Sequence, residues 1–145
     1  MRIAIGSDHA GFSLRRAIEQ KLRSMGHEVL DCGCDNEESC DYPEFGAAVG
    51  RKVASGECDR GIVVCGTGLG IAMAANKIKG IRAAVVHDAF TARMSREHND
   101  ANVLALGARV LDPDFALELV DLWLTTDFEG GRHARRVGKI DALDR

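Results

Sequence analysis

The sequence predicts an α/β fold: a single doubly wound, Rossmann-like sheet of five parallel strands, with helices on both faces and an extra helix at the C-terminus. Three observations carry this. Five short apolar runs alternate with longer stretches in which apolar residues recur at helical spacing. Ile62 to Val64 and Val103 to Leu106 are apolar throughout, as in strands covered on both faces. Glycines and polar capping residues punctuate the boundaries, and right-handed crossovers then fix a doubly wound arrangement.

Arg2 to Ser7 forms the first strand. In the helix that follows, Leu14, Ala17, Ile18, Leu22 and Met25 share one face, and Gly26 stops it. Glu28 to Asp31 is a short second strand, and Cys32 to Asp41 a polar loop. Asp41 is expected to cap the next helix in a capping-box-like start with Glu44, near Pro43, and that helix ends near Gly56. The third strand runs into Cys65 and a glycine loop, with helix from Ile71 to Lys77. Arg82 to Val86 is the fourth strand, followed by a helix capped by Asp88 that runs toward Glu97. Val103 to Leu106 is the fifth strand. Asp112 and Pro113 open a helix whose core face is Phe115, Leu119, Val120, Trp123 and Leu124. After a break from Thr125 to Gly131, a last helix carries Arg132, His133, Arg135 and Arg136; its Val137, Ile140 and Leu143 face either a partner subunit or the chain's own sheet. No linker, low-complexity tract or internal repeat divides the chain, so residues 1–145 form one expected domain.

Composition narrows the function. A net charge of −3 gives no global basic field for nucleic acid. No apolar run approaches the length of a membrane span, and the N-terminus enters a strand directly, with no signal peptide expected. The five cysteines, Cys32, Cys34, Cys40, Cys58 and Cys65, fit no standard zinc spacing. They are expected as free thiols in a reducing cytoplasm, with neither metal nor cofactor.

The chain is organised around Arg60 to Asn76, where a buried strand gives way to glycines at 66, 68 and 70 and then to a helix. Such a loop exposes backbone N–H groups and aims the positive end of a helix at a ligand. Cys65 stands at its lip, where α/β sheets place their ligands. The third glycine comes one residue early for the dinucleotide fingerprint, and no Gly-Lys-Ser/Thr follows for a P-loop. Ile71 stands where a cysteine phosphatase would need arginine. Taken locally, a cysteine ending a strand is most often a small core residue, and Cys65 reads first as that.

Other strand ends add polar groups: Asp8 and His9 after the first, Thr67 after the third, His87 and Asp88 after the fourth. His98 and Asn99 close a helix before the fifth strand, and Arg109 follows it. A shared sheet edge is what would let these converge, since alone Asp8 and Asp88 read as helix caps and His87 as a surface residue. Arg132 and Arg136, spaced i, i+4 after two glycines, read as a solvated basic face or as a phosphate clamp.

Together these motifs resemble a known family. The runs Gly6 to Gly11, Asp41 to Pro43, Cys65 to Gly70, Ala74 to Lys77, Gly80 to Ala83, Ser95 to Asn102 and Gly130 to His133 are similar, in order, to those of type B ribose-5-phosphate isomerases. The wider family includes galactose-6-phosphate isomerase subunits. The resemblance implies metal-free interconversion of ribose 5-phosphate and ribulose 5-phosphate by a homodimer or dimer of dimers. It makes Cys65 the base that moves a proton between C1 and C2, and His98 the acid that opens the sugar ring, assisted by Asp8 and Thr67. It puts Asp8, His9, Gly66, Thr67, Gly68, Leu69, Gly70, Asn99, Arg109, Arg132 and Arg136 around the substrate. A branch of the family lacks the cysteine and uses glutamate where this chain has Ile71; this chain resembles the cysteine branch. Two rivals stand beside this reading: the same reaction on a six-carbon substrate such as allose 6-phosphate or galactose 6-phosphate, and a non-catalytic phosphate-binding module.

Overall fold

The alternation resolves into β1 (Arg2–Ser7), α1 (Phe12–Ser24), β2 (Glu28–Asp31), α2 (Tyr42–Ala54), β3 (Arg60–Cys65), α3 (Leu69–Asn76), β4 (Ala83–Val85), α4 (Ala89–Glu97), β5 (Val103–Gly107), α5 (Pro113–Thr125) and α6 (Arg132–Asp141) in a computed structural model that describes residues 1–145. All four strand pairings are parallel, in the order β2-β1-β3-β5-β4. β3, buried from Gly61 to Cys65, lies between β1 and β5.

Side chains alternate across a strand, so each face of β3 feeds a different core. Ile62 and Val64 pack with Leu14, Ile18 and Leu22 of α1 and with Leu119, Val120 and Trp123 of α5. Val63 and Cys65 pack with Val49 and Val53 of α2 and with Ile71, Ala72 and Ala75 of α3. Trp123 is fully buried, with the guanidinium groups of Arg60 and Arg96 at 5.2 and 5.7 Å from its ring. Truncating such a residue costs about 3–5 kcal/mol.

Local chemistry departs from expectation at four points. Asp41 occupies the cap position of α2, but its side chain makes no capping bond: Pro43 at the second helical position has no N–H to donate, and the Glu44 N–H at the third is not taken. The helix after the glycine loop starts at Leu69, capped by Gly68 in a left-handed conformation, so Leu69 and Gly70 belong to its first turn. Asp8 does not cap α1; it accepts from the N–H of Gly11, the residue in the cap position. Phe115, counted with the core face of α5, sits in its exposed first turn. Asp88 and Asp112 do cap their helices, the former in a reciprocal capping box with Thr91.

The last helix is the least integrated element. Val137 and His133 are buried, whereas Ile140 and Leu143 face outward. Arg82 ties it back through Asp141 at 2.8 Å, and Asp144 accepts the N–H of Gly80 at 2.8 Å. No helix is long and apolar enough to cross a membrane.

Candidate active site

The carboxyl ends of β1, β3 and β5 converge on Cys65. Its carbonyl accepts the Ala108 N–H at 2.9 Å, and the Gly66 carbonyl accepts the Arg109 N–H at 2.9 Å. The thiol is nearly buried, and its Sγ accepts the N–H of Gly68 at 3.2 Å. Gly68 has φ of +81° and lies so close to β5 that a Cβ there would sit 3.0 Å from the Leu106 carbonyl carbon. Only glycine meets both demands without strain. Thr67 Oγ1 accepts the Leu69 N–H at 3.2 Å. The N–H groups of Thr67, Gly70 and Ile71 make no bond within the chain. Gly70 and Ile71 belong to the first turn of α3, whose N–H groups have no partner within the helix, and the Gly68 N–H at its cap is the one on the sulfur.

Around this loop stand the β1 end and Arg109. Asp8 is buried, its N–H bonded to the Val64 carbonyl at 3.3 Å and one carboxylate oxygen taken by Gly11 at 3.1 Å. His9 accepts the Cys40 N–H on Nδ1 at 3.2 Å, which leaves Nε2 as the protonated nitrogen of the neutral ring. The Arg109 guanidinium lies over Gly66, where a Cβ would come within 3.2 Å of Nη1. Tyr42 closes the loop from α2, packed so tightly on Gly70 that a Cβ there would lie 2.5 Å from its ring.

His98 and Asn99 are elsewhere. α4 descends from the end of β4 to the start of β5, so its C-terminus lies at the opposite edge of the sheet from Cys65. β5 alone separates the two edges by about 13 Å, four steps of a parallel strand. The sequence-based expectation that one edge gathers all the polar groups therefore holds for Asp8, His9, Cys65, Thr67 and Arg109 and fails for His98 and Asn99. At this second edge the His98 ring stacks on His133, centroids 4.1 Å apart. His133 Nε2 is 3.4 Å from a Glu129 carboxylate oxygen, without hydrogen-bond alignment. Burial and then the neighbouring His98 push the His133 pKa down. The ligand-type atoms of His98, Glu129 and His133 lie within 4.8 Å of one another. The near-parallel rings send their nitrogen lone pairs side by side instead of toward one point, which suits stacking better than metal ligation. Arg82 braces the edge, donating to the carbonyls of Asn99 and Asp100 at 3.2 and 2.9 Å. Arg132 and Arg136, both exposed, extend from it on α6.

The family model described as Ribose/Galactose Isomerase matches residues 3–140. This chain belongs to the ribose/galactose isomerase family. The ribose-5-phosphate isomerase B of Escherichia coli is 48% identical over 99% of this chain and 96% of that protein. A solved ribose-5-phosphate isomerase B from Clostridium thermocellum superimposes with a TM-score of 0.97 at 61% identity, covering 99% of this chain and 97% of that one. The Mycoplasma genitalium ribose-5-phosphate isomerase B, solved with bound ribulose 5-phosphate, has a TM-score of 0.93 at 42% identity, covering 97% and 94%.

Within this isomerase family frame, sequence reasoning did not select Tyr42, Glu129 or His133 as site residues. Tyr42 and His133 both lie inside family-like runs, but only a neighbour in space gives them a role. Nothing in helical or strand periodicity links residue 98 to residue 133.

Proposed function

We propose that this chain is an aldose–ketose isomerase that interconverts ribose 5-phosphate and ribulose 5-phosphate through an enediolate, with Cys65 as the base. The observation that carries this is the Cys65 sulfur, held by the Gly68 N–H at the start of α3, in a loop where the N–H groups of Thr67 and Gly70 make no bond within the chain. An aldose–ketose shift takes the proton from C2 of the open-chain aldose and returns one to C1. In between, negative charge builds on the oxygens of C1 and C2. A sulfur base at the strand end and fixed N–H donors beside it serve those two needs, proton transfer and oxyanion stabilisation. Asp8, with one carboxylate oxygen committed to Gly11, has its other oxygen for a sugar hydroxyl, and His9 presents an N–H.

A closed furanose cannot enolise at C1–C2, so ring opening needs a separate acid, the role we assign to His98 with Asn99 beside it. Arg132 and Arg136 then form the phosphate clamp, because guanidinium forks match phosphate oxygens. Remote phosphate binding fixes the position of the reacting carbons.

His98 and Cys65 lie at opposite sheet edges, so the proposal requires a second copy. In a two-fold homodimer, each Cys65 edge meets the His98 edge of its partner, and two equivalent sites form. Exposed Leu69 and Met73 on α3 supply apolar surface next to the loop for such a contact. A dimer of dimers would preserve the same pairing. A reducing cytoplasm suits the five free cysteines.

The direct test is a coupled isomerase assay with ribose 5-phosphate, allose 6-phosphate and galactose 6-phosphate. We expect turnover to be highest with ribose 5-phosphate. Preference for a six-carbon substrate would reassign the specificity, and phosphate binding without turnover on any of them would overturn the enzyme reading.

A further inference from the structure

The loop between β2 and α2 carries two cysteines that the proposed isomerisation leaves unused. Cys34 is buried and firmly tied: its N–H reaches the Ser7 carbonyl at 3.3 Å and its carbonyl accepts from Arg15 Nη2 at 2.5 Å. Arg15 is itself buried, paired with Asp31 and stacked on Phe12. Cys40 sits at the other end of the loop, its N–H on Nδ1 of His9 at 3.2 Å. Residues 35–39 between them are exposed. The loop thus leaves and returns to one place, the end of β1, touching it at Ser7 and at His9. This return sets Cys34 and Cys40 against the same short stretch of chain at the end of β1, at points two residues apart, with the Cys34 thiol donating to the Asn36 carbonyl inside the loop at 3.3 Å.

We propose that Cys34 and Cys40 form a reversible intramolecular disulfide that governs the setting of His9. The oxidant is a low-molecular-weight disulfide such as oxidised glutathione. One thiolate of the pair attacks it, forming a mixed disulfide and releasing one reduced glutathione as leaving thiolate. The second thiolate attacks the protein sulfur of that mixed disulfide and releases the other glutathione. Two protein thiols lose two electrons and two protons, and one small disulfide becomes two small thiols. Bonding draws the sulfurs to about 2.05 Å. Cys34 is anchored through Ser7 and Arg15, so Cys40 moves, and its N–H leaves His9. The nitrogen that this N–H holds as acceptor is then free to take the proton, and His9 loses its fixed tautomer. Burial and the adjacent Cys34 thiol keep Cys40 protonated beyond the ordinary thiol range, so exchange accelerates as pH rises above neutrality.

The consequence for turnover rests on the isomerase reading; the disulfide itself does not, and the experiment separates the two. The full-length protein is equilibrated with glutathione redox buffers, alkylated and mapped by peptide mass. We expect a Cys34–Cys40 cross-link, reversed by reduced glutathione and lost in Cys34→Ser and in Cys40→Ser. Oxidation of the wild type should raise KM for ribose 5-phosphate about fivefold, the loss of one ordinary hydrogen bond. Cys34→Ser should keep its KM under the same oxidant, while any glutathione adduct on Cys65 would abolish turnover in both proteins alike and is identified by its mass. Mixed disulfides on Cys34 or Cys40 without cross-linking would overturn the proposal. So would a cross-linked protein with unchanged KM, since the switch would then not reach His9. A cross-link in a protein that turns over no sugar phosphate would leave the thiol pair standing and remove the isomerase reading instead.

Discussion

The rings of His98 and His133 lie parallel, with centroids 4.1 Å apart and an 11° angle between planes. Two imidazoles at this separation cannot both take a proton without mutual repulsion. His133 resists the proton, since burial, then His98, then Arg132 lower its pKa, while Glu129 acts the other way. An unfolded chain takes up this proton near pH 6.5, the folded chain only below it, so stability present above about 6.5 is lost as pH falls through the folded value. Thermal melts from about pH 7.5 down to about 5.5 should therefore show a falling Tm. His133→Phe keeps a ring against His98 but cannot titrate, and its profile should be flatter. Equal slopes for the two proteins would remove His133 from this role.

Cys65 is central to the chemistry and is also a packed core residue, so its substitution needs two readouts. Cys65→Ala should reduce kcat about 10²–10⁴-fold, the usual contribution of a positioned acid–base group. Its stability should drop by about 1 kcal/mol, as for a small core change. It should also stop exchange of the aldose C2 proton with solvent while still binding sugar phosphate. Cys65→Ser should lose turnover similarly, because a hydroxyl without a partner base is a weak proton acceptor. A folded Cys65→Ala protein that keeps near-normal turnover would return Cys65 to a packing role.

Gly68 allows the geometric and catalytic parts to be separated. Gly68→Ala places a Cβ at positive φ and 3.0 Å from the Leu106 carbonyl carbon, next to the N–H that reaches Cys65. We expect about 1–3 kcal/mol of destabilisation and a fall in kcat for the molecules that remain folded. Gly26→Ala is the control: φ is +87° there too, but nothing lies within 4 Å of the added carbon. It should lose stability and keep kcat, and a matching kcat loss in both proteins would point to global effects.

The sheet was legible because its evidence is local. Continuous apolar runs, periodic helix faces and caps such as Asp88 and Asp112 act within a few residues, and each lies where the pattern placed it. Asp41 shows the limit, since the capping pattern was present but the side chain makes no bond to the helix start. The Cys65 loop was legible for a similar reason, as strand, glycines and helix are contiguous. The partition of the site was not. The side of the sheet on which His98 falls follows from the direction of α4, and its partner His133 lies 35 positions later on a helix held by Arg82–Asp141 and Asp144–Gly80 contacts. Long-range pairing of that kind leaves no periodic trace.

The arginines of α6 should act on binding more than on chemistry. Arg136→Ala removes one charge-assisted phosphate contact, worth about 1.5–3 kcal/mol, so KM should rise about tenfold or more with a smaller change in kcat. Inorganic phosphate should inhibit the wild type competitively and the variant much less. Unchanged KM together with unchanged phosphate sensitivity would show that Arg136 is a solvated surface residue.

The distance between the two sheet edges makes the sharpest prediction. If His98 served the Cys65 of its own chain, it would have to reach past the length of β5, about 13 Å. In a two-fold dimer it serves the partner's Cys65 instead. Take Cys65→Ala and His98→Ala proteins, each inactive, and mix them equally under conditions where subunits exchange. Half of the dimers are then mixed. In each mixed dimer one site receives both defects and the other receives none, so about a quarter of all sites are intact. Activity should recover to about that fraction of wild type. Native mass spectrometry with one subunit tagged must confirm the exchange. Mixed dimers that form without any recovery would place both residues in one chain's site, and would require a rearrangement of α4 that the packing of Ser95 and Arg96 against the body of the protein opposes.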